Sequence, residues 1–185
     1  MPNLEKSGGY KSLIVYQQAV LIFDLNAFFC KKFLNEPKYR RTVEQMEQAS
    51  RSGKQNIVEA SLEKSLKMNI KLTGVARGSF GELLEDYYDF QRLREISLWD
   101  KNDLRVLKIR AIRLSPNSNW SNLSNWSNWT NNPEGFSNLM ITLISRENYL
   151  LDQLIRSLEQ KFVSEGGYSE NLFKKRMQYR RSGND

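Results

Sequence analysis

Four carboxylates, Glu82, Glu85, Asp86 and Asp89, recur at one-turn spacings in a single stretch of the chain. Oxygen ligands spaced in this way suit a hard divalent cation. A carboxylate site inside a helical bundle also draws on facing helices, commonly through Glu-x-x-His, and the chain contains no histidine. Salt bridging between subunits is the stronger use of these acids, and neither a metal nor any other cofactor is assigned. The missing histidine also removes the commonest general acid–base at neutral pH, and with it Ser-His-Asp, Cys-His and HExxH arrangements. The glycines form neither GxGxxG nor GxxxxGKS/T, so no phosphate-cradling loop is visible. The single cysteine, Cys30, cannot form an internal disulfide, and it falls on an apolar helical stripe where a thiol is packed rather than nucleophilic. No catalytic residue is assigned: the chain is expected to bind rather than to catalyse.

Lys and Arg number 28 against 21 acids, giving a net charge of +7. The excess is uneven: residues 36–71 hold eight cations against five acids, 101–114 five against one, and 166–185 five against two. A polyanion bound along such segments gains from counterion release and loses affinity in salt. A solvated helix face laced with i,i+4 pairs, such as Glu63–Lys67, accounts for the same composition.

A second constellation is aromatic. Trp120, Trp126 and Trp129 stand in SNWSNLSNWSNWTNN, a low-complexity repeat without a charge. Tryptophans among polar residues stack on single-stranded bases or anchor a protein partner. The absence of cations in the repeat favours partner binding, unless the rings fold back on the helices. Asn119, Asn122, Asn125 and Asn128 open N-x-S/T sequons, which without a secretion signal are products of the repeat.

The elements that position these residues are helical. Leu13, Tyr16, Val20, Phe23, Ala27, Cys30 and Leu34 alternate at spacings of three and four, the seam of a bundle helix. Two further apolar stripes, Ile14–Leu21–Leu25–Phe28 and Val15–Ile22–Phe29–Phe33, give this helix more faces than one small bundle covers, so self-association is expected. A second helix is expected over 38–62, with Val43, Met46, Ser50, Gly53, Ile57 and Ala60 inward; its small middle admits a close neighbour. A third is expected over 66–96, with Leu72, Ala76, Ser79, Leu83, Tyr87 and Phe90 inward. Gly74, Gly78 and Gly81 inside it each cost about 1 kcal/mol against alanine, a cost expected where a neighbour needs the space. Asp100 is the expected N-cap of a short basic helix over 101–113. Residues 115–133 are expected to form a surface loop, and 134–165 the last core helix, ended by Gly166 and Gly167. The fold class is therefore all-α: an antiparallel up-down four-helix bundle over 1–167, with an inserted short helix and polar loop at about 101–133. Residues 168–185 are expected to be a polar, basic, partly mobile tail.

Several short motifs carry a resemblance. They are Ile14-Val15-Tyr16-Gln17-Gln18-Ala19; then Gln45-Met46, Ala49-Ser50-Arg51-Ser52 and Asn56-Ile57-Val58-Glu59-Ala60; then Val75-Ala76-Arg77-Gly78-Ser79 with Glu82-Leu83. In this order they resemble a bacterial four-helix-bundle family. It includes proteins encoded in intervening sequences of large-subunit ribosomal RNA and the accessory variability determinant of diversity-generating retroelements. Tyr149-Leu150-Leu151-Asp152 with Gly166-Gly167 is similar to its suffix-type branch. Ala60 departs from the glycine of many members, and residues 101–133 look like an insertion.

The resemblance implies a basic homopentamer that binds RNA or DNA and the retroelement's reverse transcriptase, assisting cDNA synthesis. Carried over by position, the candidate nucleic-acid-binding residues are Arg40, Arg41, Arg51, Lys54, Lys64, Lys67, Lys71 and Arg77, of which Arg51 and Arg77 lie inside the matched motifs. A competing expectation is a protein–protein scaffold that binds through Trp120, Trp126 and Trp129. No apolar run approaches the roughly 18 residues of a membrane span, and no signal peptide is apparent, so a cytoplasmic protein without a membrane partner is expected.

Overall fold

A computed structural model describes residues 9–112 and 126–182, and every regular element among them is helical. In chain order these are α1 (Ile14–Phe33), α2 (Arg40–Leu62), α3 (Leu66–Arg92), α4 (Leu104–Ala111), α5 (Ser127–Thr130), α6 (Pro133–Glu165) and α7 (Tyr168–Arg181). Six of them pack together: α1 and α3 each lie against both α2 and α6, while α4 and α5 rest on α6. Leu13, just before α1, meets Ile57 and Ala60 of α2, Thr73 of α3 and Leu154 of α6 around one hollow. Toward the other end of α1, Phe29 meets Tyr87 and Phe90 of α3 and Phe136 of α6, with ring centroids 4.7–5.2 Å apart.

The boundaries follow local chemistry. Pro37 opens a single 3-10 turn before α2, its missing N–H falling where a helix leaves donors unpaired. Asn132 caps α6 by accepting from Gly135 N–H at 2.7 Å, and Pro133 occupies the first turn. Gly166 ends α6 at φ 77°, a positive φ that glycine adopts without the penalty a Cβ would bring. α4 is capped by Asp103 rather than Asp100: its Oδ1 accepts from Arg105 N–H at 2.8 Å, and the guanidinium of Arg105 holds its carboxyl down at about 2.

Cys30 and Leu34, at the end of the expected seam, are buried, and the rest of helix α1 corrects it. Val15, Gln18, Ala19, Ile22, Leu25, Asn26 and Phe29 are buried, whereas Tyr16, Val20 and Phe23 are half-buried and Ala27 is exposed. Two buried amides decide the inward face. Gln18 Nε2 donates to the Leu143 carbonyl of α6 at 2.7 Å. Asn26 Nδ2 donates to Ser50 Oγ of α2 at 3.3 Å, and Tyr87 Oη of α3 donates to Asn26 Oδ1 at 2.9 Å.

The insertion is also less superficial than its composition implies. Val106, Ile109, Trp126 and Thr130 are buried, and Trp99 N–H donates to Asn138 Oδ1 of α6 at 2.8 Å. This layer covers the outer side of early α6, which is why every residue from Gly135 to Ile144 is buried.

The small residues of α2 serve as expected, whereas two of the α3 glycines do not. A Cβ at Gly53 would stand 2.6 Å from the Phe80 ring, so α2 and α3 approach too closely there for any larger residue. At Gly74 and Gly78 an added Cβ meets nothing within 4 Å. Gly74→Ala and Gly78→Ala should therefore each raise stability by about 0.4–1 kcal/mol through helix propensity and a less flexible unfolded chain. Gly53→Ala should lower it. Thermal melts of the three variants check this, and a fall in melting temperature for either α3 variant would restore a packing role.

Candidate nucleic-acid interface

The eight candidate cations do not share one surface. Arg40 Nε pairs with Glu44 at 3.0 Å on the exposed side of α2. Arg41 borders an open groove between α2 and α3 whose walls carry three carboxylates, Glu44, Glu82 and Asp86. Burial, together with neighbouring Asp89 and Glu82, raises the Asp86 carboxyl to about 6. Arg51 borders a smaller hollow between α1 and α2, where Glu44 and Glu47 oppose it. Lys54 sits over the Phe23 ring, its Nζ 3.6 Å from the centroid, a cation–π contact that covers part of the outward stripe of α1. Arg77 Nε bonds Asp152 Oδ1 at 3.1 Å and ties α3 to α6. These five serve packing or stand among acids.

Lys64, Lys67 and Lys71 differ. All three are exposed at the α2–α3 turn, and none has an ion pair among the described residues. The 23 residues of α2 set them roughly 35 Å from Arg40 along the helix. At their end of the molecule a hollow of about 430 Å³ gathers Lys64 with Lys161 of α6 and Lys175 of α7, opposed by Glu63 and Glu165. Lys161 pairs with Glu165 at 3.9 Å, whereas Lys64, Lys67, Lys71 and Lys175 have no ion pair among the described residues, so the turn end is the cation-rich one while acids hold the groove at the opposite end of α2.

The segment expected to be a partly mobile tail is α7, a helix of 14 residues. Its first turn is closed by Glu170, whose Oε2 accepts from Gly167 N–H at 3.1 Å, and Asn171 Nδ2 donates to the Glu165 carbonyl at 3.1 Å. A glutamate three residues after the cap position is a helix-start signal that the sequence does contain. The charge of this segment and this start signal are both in the sequence, and the polar composition alone suggested a tail.

The tryptophans divide. Trp120 lies outside the described residues. Trp126 is 1 % exposed and belongs to the core. Trp129 is half-buried and packs edge-on against Trp99, with centroids 5.9 Å apart. Trp99 is itself fixed by its Nε1–H donating to Glu134 Oε1 at 2.7 Å and by the Arg105 guanidinium 3.9 Å from its ring centroid. Trp126 and Trp129 therefore pack on this chain, as in the fold-back alternative, and are not free for the partner-binding role expected of them.

Two interior groups carry perturbed chemistry. Burial pushes the Cys30 thiol up to about 12, and Glu47 and Asp86 add to the shift, so it is not poised as a thiolate. Glu147 is 0 % exposed, and neither carboxylate oxygen has a hydrogen-bond partner among the described residues. The buried acceptors Gln18 Oε1 and Asn148 Oδ1 are likewise unmatched. The adjacent Arg146 turns its Nη1 to the Ile112 carbonyl at 2.8 Å. Desolvation raises the Glu147 pKa well above its ordinary value, with Arg146 opposing it only in part.

A raised carboxyl pKa means the folded state holds a proton that the unfolded state has released. Its stabilising contribution is complete below the unfolded value of about 4.3 and is lost as pH rises through the folded value. Glu147→Gln should therefore stabilise the protein above neutral pH, by roughly 1–3 kcal/mol, with a margin that shrinks as pH falls toward about 4.3. Melting temperature against pH for the two proteins tests this, and parallel curves would refute it.

Comparison of the chain with models of known families, with curated proteins and with solved structures found no match.

Proposed function

We propose that this chain is a non-catalytic, self-associating nucleic-acid-binding accessory protein built on an antiparallel up-down four-helix bundle. The bundle helices are α1, α2, α3 and α6, with α4 and α5 as the insertion. This topology is supported by the cycle of contacts in which α1 and α3 each touch α2 and α6, and by the meeting of Leu13 with the end of α2 and the start of α3. The observation that carries the functional reading is the group of exposed lysines at the α2–α3 turn, Lys64, Lys67 and Lys71, none of which has an ion pair among the described residues. Exposed cations of this kind bind a phosphate backbone by releasing counterions, with little sequence preference. Self-association is supported by the outward stripe of α1, where Tyr16, Val20 and Phe23 are half-buried, Ala27 is exposed and Ile14 is 53 % exposed. Service to the reverse transcriptase of a diversity-generating retroelement, and a five-fold assembly, rest on the resemblance of the motifs in α1, α2 and α3.

Gel shifts with RNA and DNA, and mass by light scattering with and without nucleic acid, test the proposal. Binding that weakens steeply between about 50 and 200 mM salt is expected, and Lys64→Ala/Lys67→Ala/Lys71→Ala should flatten that dependence. A monomer that shifts neither nucleic acid at low salt would sink it.

A further inference from the structure

Helix α7 has no buried residue, yet it carries four apolar or aromatic side chains that the fold leaves outside: Tyr168, Leu172, Phe173, which is 63 % exposed, and Tyr179, which is 61 % exposed. Beside them stand five cations, Lys174, Lys175, Arg176, Arg180 and Arg181, against one acid, Glu170, whose carboxylate is engaged at the helix start. None of the five has an ion pair among the described residues. A helix that buries nothing of its own chain does not owe its aromatic content to the core.

The placement of these groups identifies the kind of partner. At about 100° per residue, Arg176 and Arg180 fall between Leu172 and Phe173 around the helix. Lys175 falls beside Tyr168 and Tyr179 in the same projection. Tyr168, Asn171 and Lys175 border the hollow that also holds Lys64 and Lys161, so Phe173 and Arg180 lie on the far side of α7 and Arg176 on its flank. A helix lying on a membrane needs its apolar side chains on one face and its cations on the other. Here the two kinds are interleaved, as they are where rings stack on unpaired bases and neighbouring cations hold the phosphates between them. We propose that α7 is a single-strand-binding arm, with Phe173 and Tyr179 as stacking residues and Lys174, Lys175, Arg176, Arg180 and Arg181 as phosphate-binding residues. Lys64 and Lys161 extend the same cationic surface onto the body of the protein. This inference rests on the nucleic-acid reading above and specifies its substrate as single-stranded.

The test uses the full chain and a fluorescein-labelled oligouridine of about 16 nucleotides, with an RNA duplex of the same length, read by anisotropy between about 50 and 200 mM salt. Replacing all five α7 cations by glutamine should weaken oligouridine binding at least tenfold and lower the salt slope by about 0.7 for each phosphate no longer neutralised. Phe173→Ala/Tyr179→Ala should weaken the single strand about tenfold and leave the duplex nearly unchanged. Neither variant should alter the melting temperature, because α7 buries no side chain. Undiminished binding by both α7 variants, with weakening only in Lys64→Ala/Lys67→Ala/Lys71→Ala, would overturn the arm while sparing the nucleic-acid reading. Failure of the unaltered protein to bind any nucleic acid would overturn both. Binding of the full chain to phosphatidylserine vesicles that both α7 variants lose, with none to RNA, would overturn the arm in favour of a lipid surface.

Discussion

The structure turns on one buried polar junction. Asn26 of α1 donates to Ser50 of α2 and accepts from Tyr87 of α3, and all three residues are buried. Each bond adds only about 1 kcal/mol net, but a partner left unmatched in the interior costs roughly 1–3 kcal/mol. A slide of any of the three helices by one turn would therefore strand an amide, a hydroxyl or a phenol in an apolar surround. The adjoining ring cluster of Phe29, Tyr87, Phe90 and Phe136 cannot supply that discrimination alone, because apolar contacts tolerate repacking. Gly53 adds a steric condition to the polar one: α2 and α3 reach this register only because nothing stands between the α2 backbone and Phe80. Polar pairing fixes the register, and the missing side chain sets the spacing.

This junction explains which parts of the fold were legible in the sequence. Helix existence was legible wherever apolar periodicity was strong, and the inward sets of α2 and α3 follow it closely. Orientation of α1 was not legible. Three apolar stripes run along that helix, and periodicity scores Gln18 and Asn26 as outward residues because they are amides. Their partners, the Leu143 carbonyl, Ser50 and Tyr87, are 24 to 125 residues away in sequence, and only the assembled fold reveals them. The same limit applies to the Trp/Asn repeat. Its composition reads as a surface loop, yet Trp126 and Thr130 close over early α6. At α4 the choice between Asp100 and Asp103 as cap depended on which carboxylate meets a free N–H three-dimensionally, and both acids lie within one turn of the helix start.

The candidate site was legible as composition and not as a surface. Charge counts marked residues 36–71 as basic, but the 23 residues of α2 separate the two ends of that interval. Arg40 and Arg41 fall beside Glu44, Glu82 and Asp86, acids contributed partly by the neighbouring helix. Lys64 falls beside Lys161 and Lys175, cations contributed from α6 and α7. Folding thus sorts an evenly basic interval into an acid-lined end and a cation-rich end. The elevated Asp86 carboxyl reports the same crowding from the acidic side.

Such sorting has a consequence for stability as well as for binding. Like charges gathered at one end repel, and the repulsion is weakest where solvent and salt can screen it. The described cations of that end sit on exposed positions, at a helix turn, on late α6 and on α7, where α6 has already left the core. Arg180 and Arg181 stand in the last turn of α7, where the helix dipole favours positive charge and offsets part of their mutual repulsion. The buried register set by Asn26, Ser50 and Tyr87 lies away from this charge, and none of its members is ionised at neutral pH. Specificity of folding and surplus of charge are thus carried by different residues at different depths. A cationic end can strengthen or weaken without moving the helices that present it.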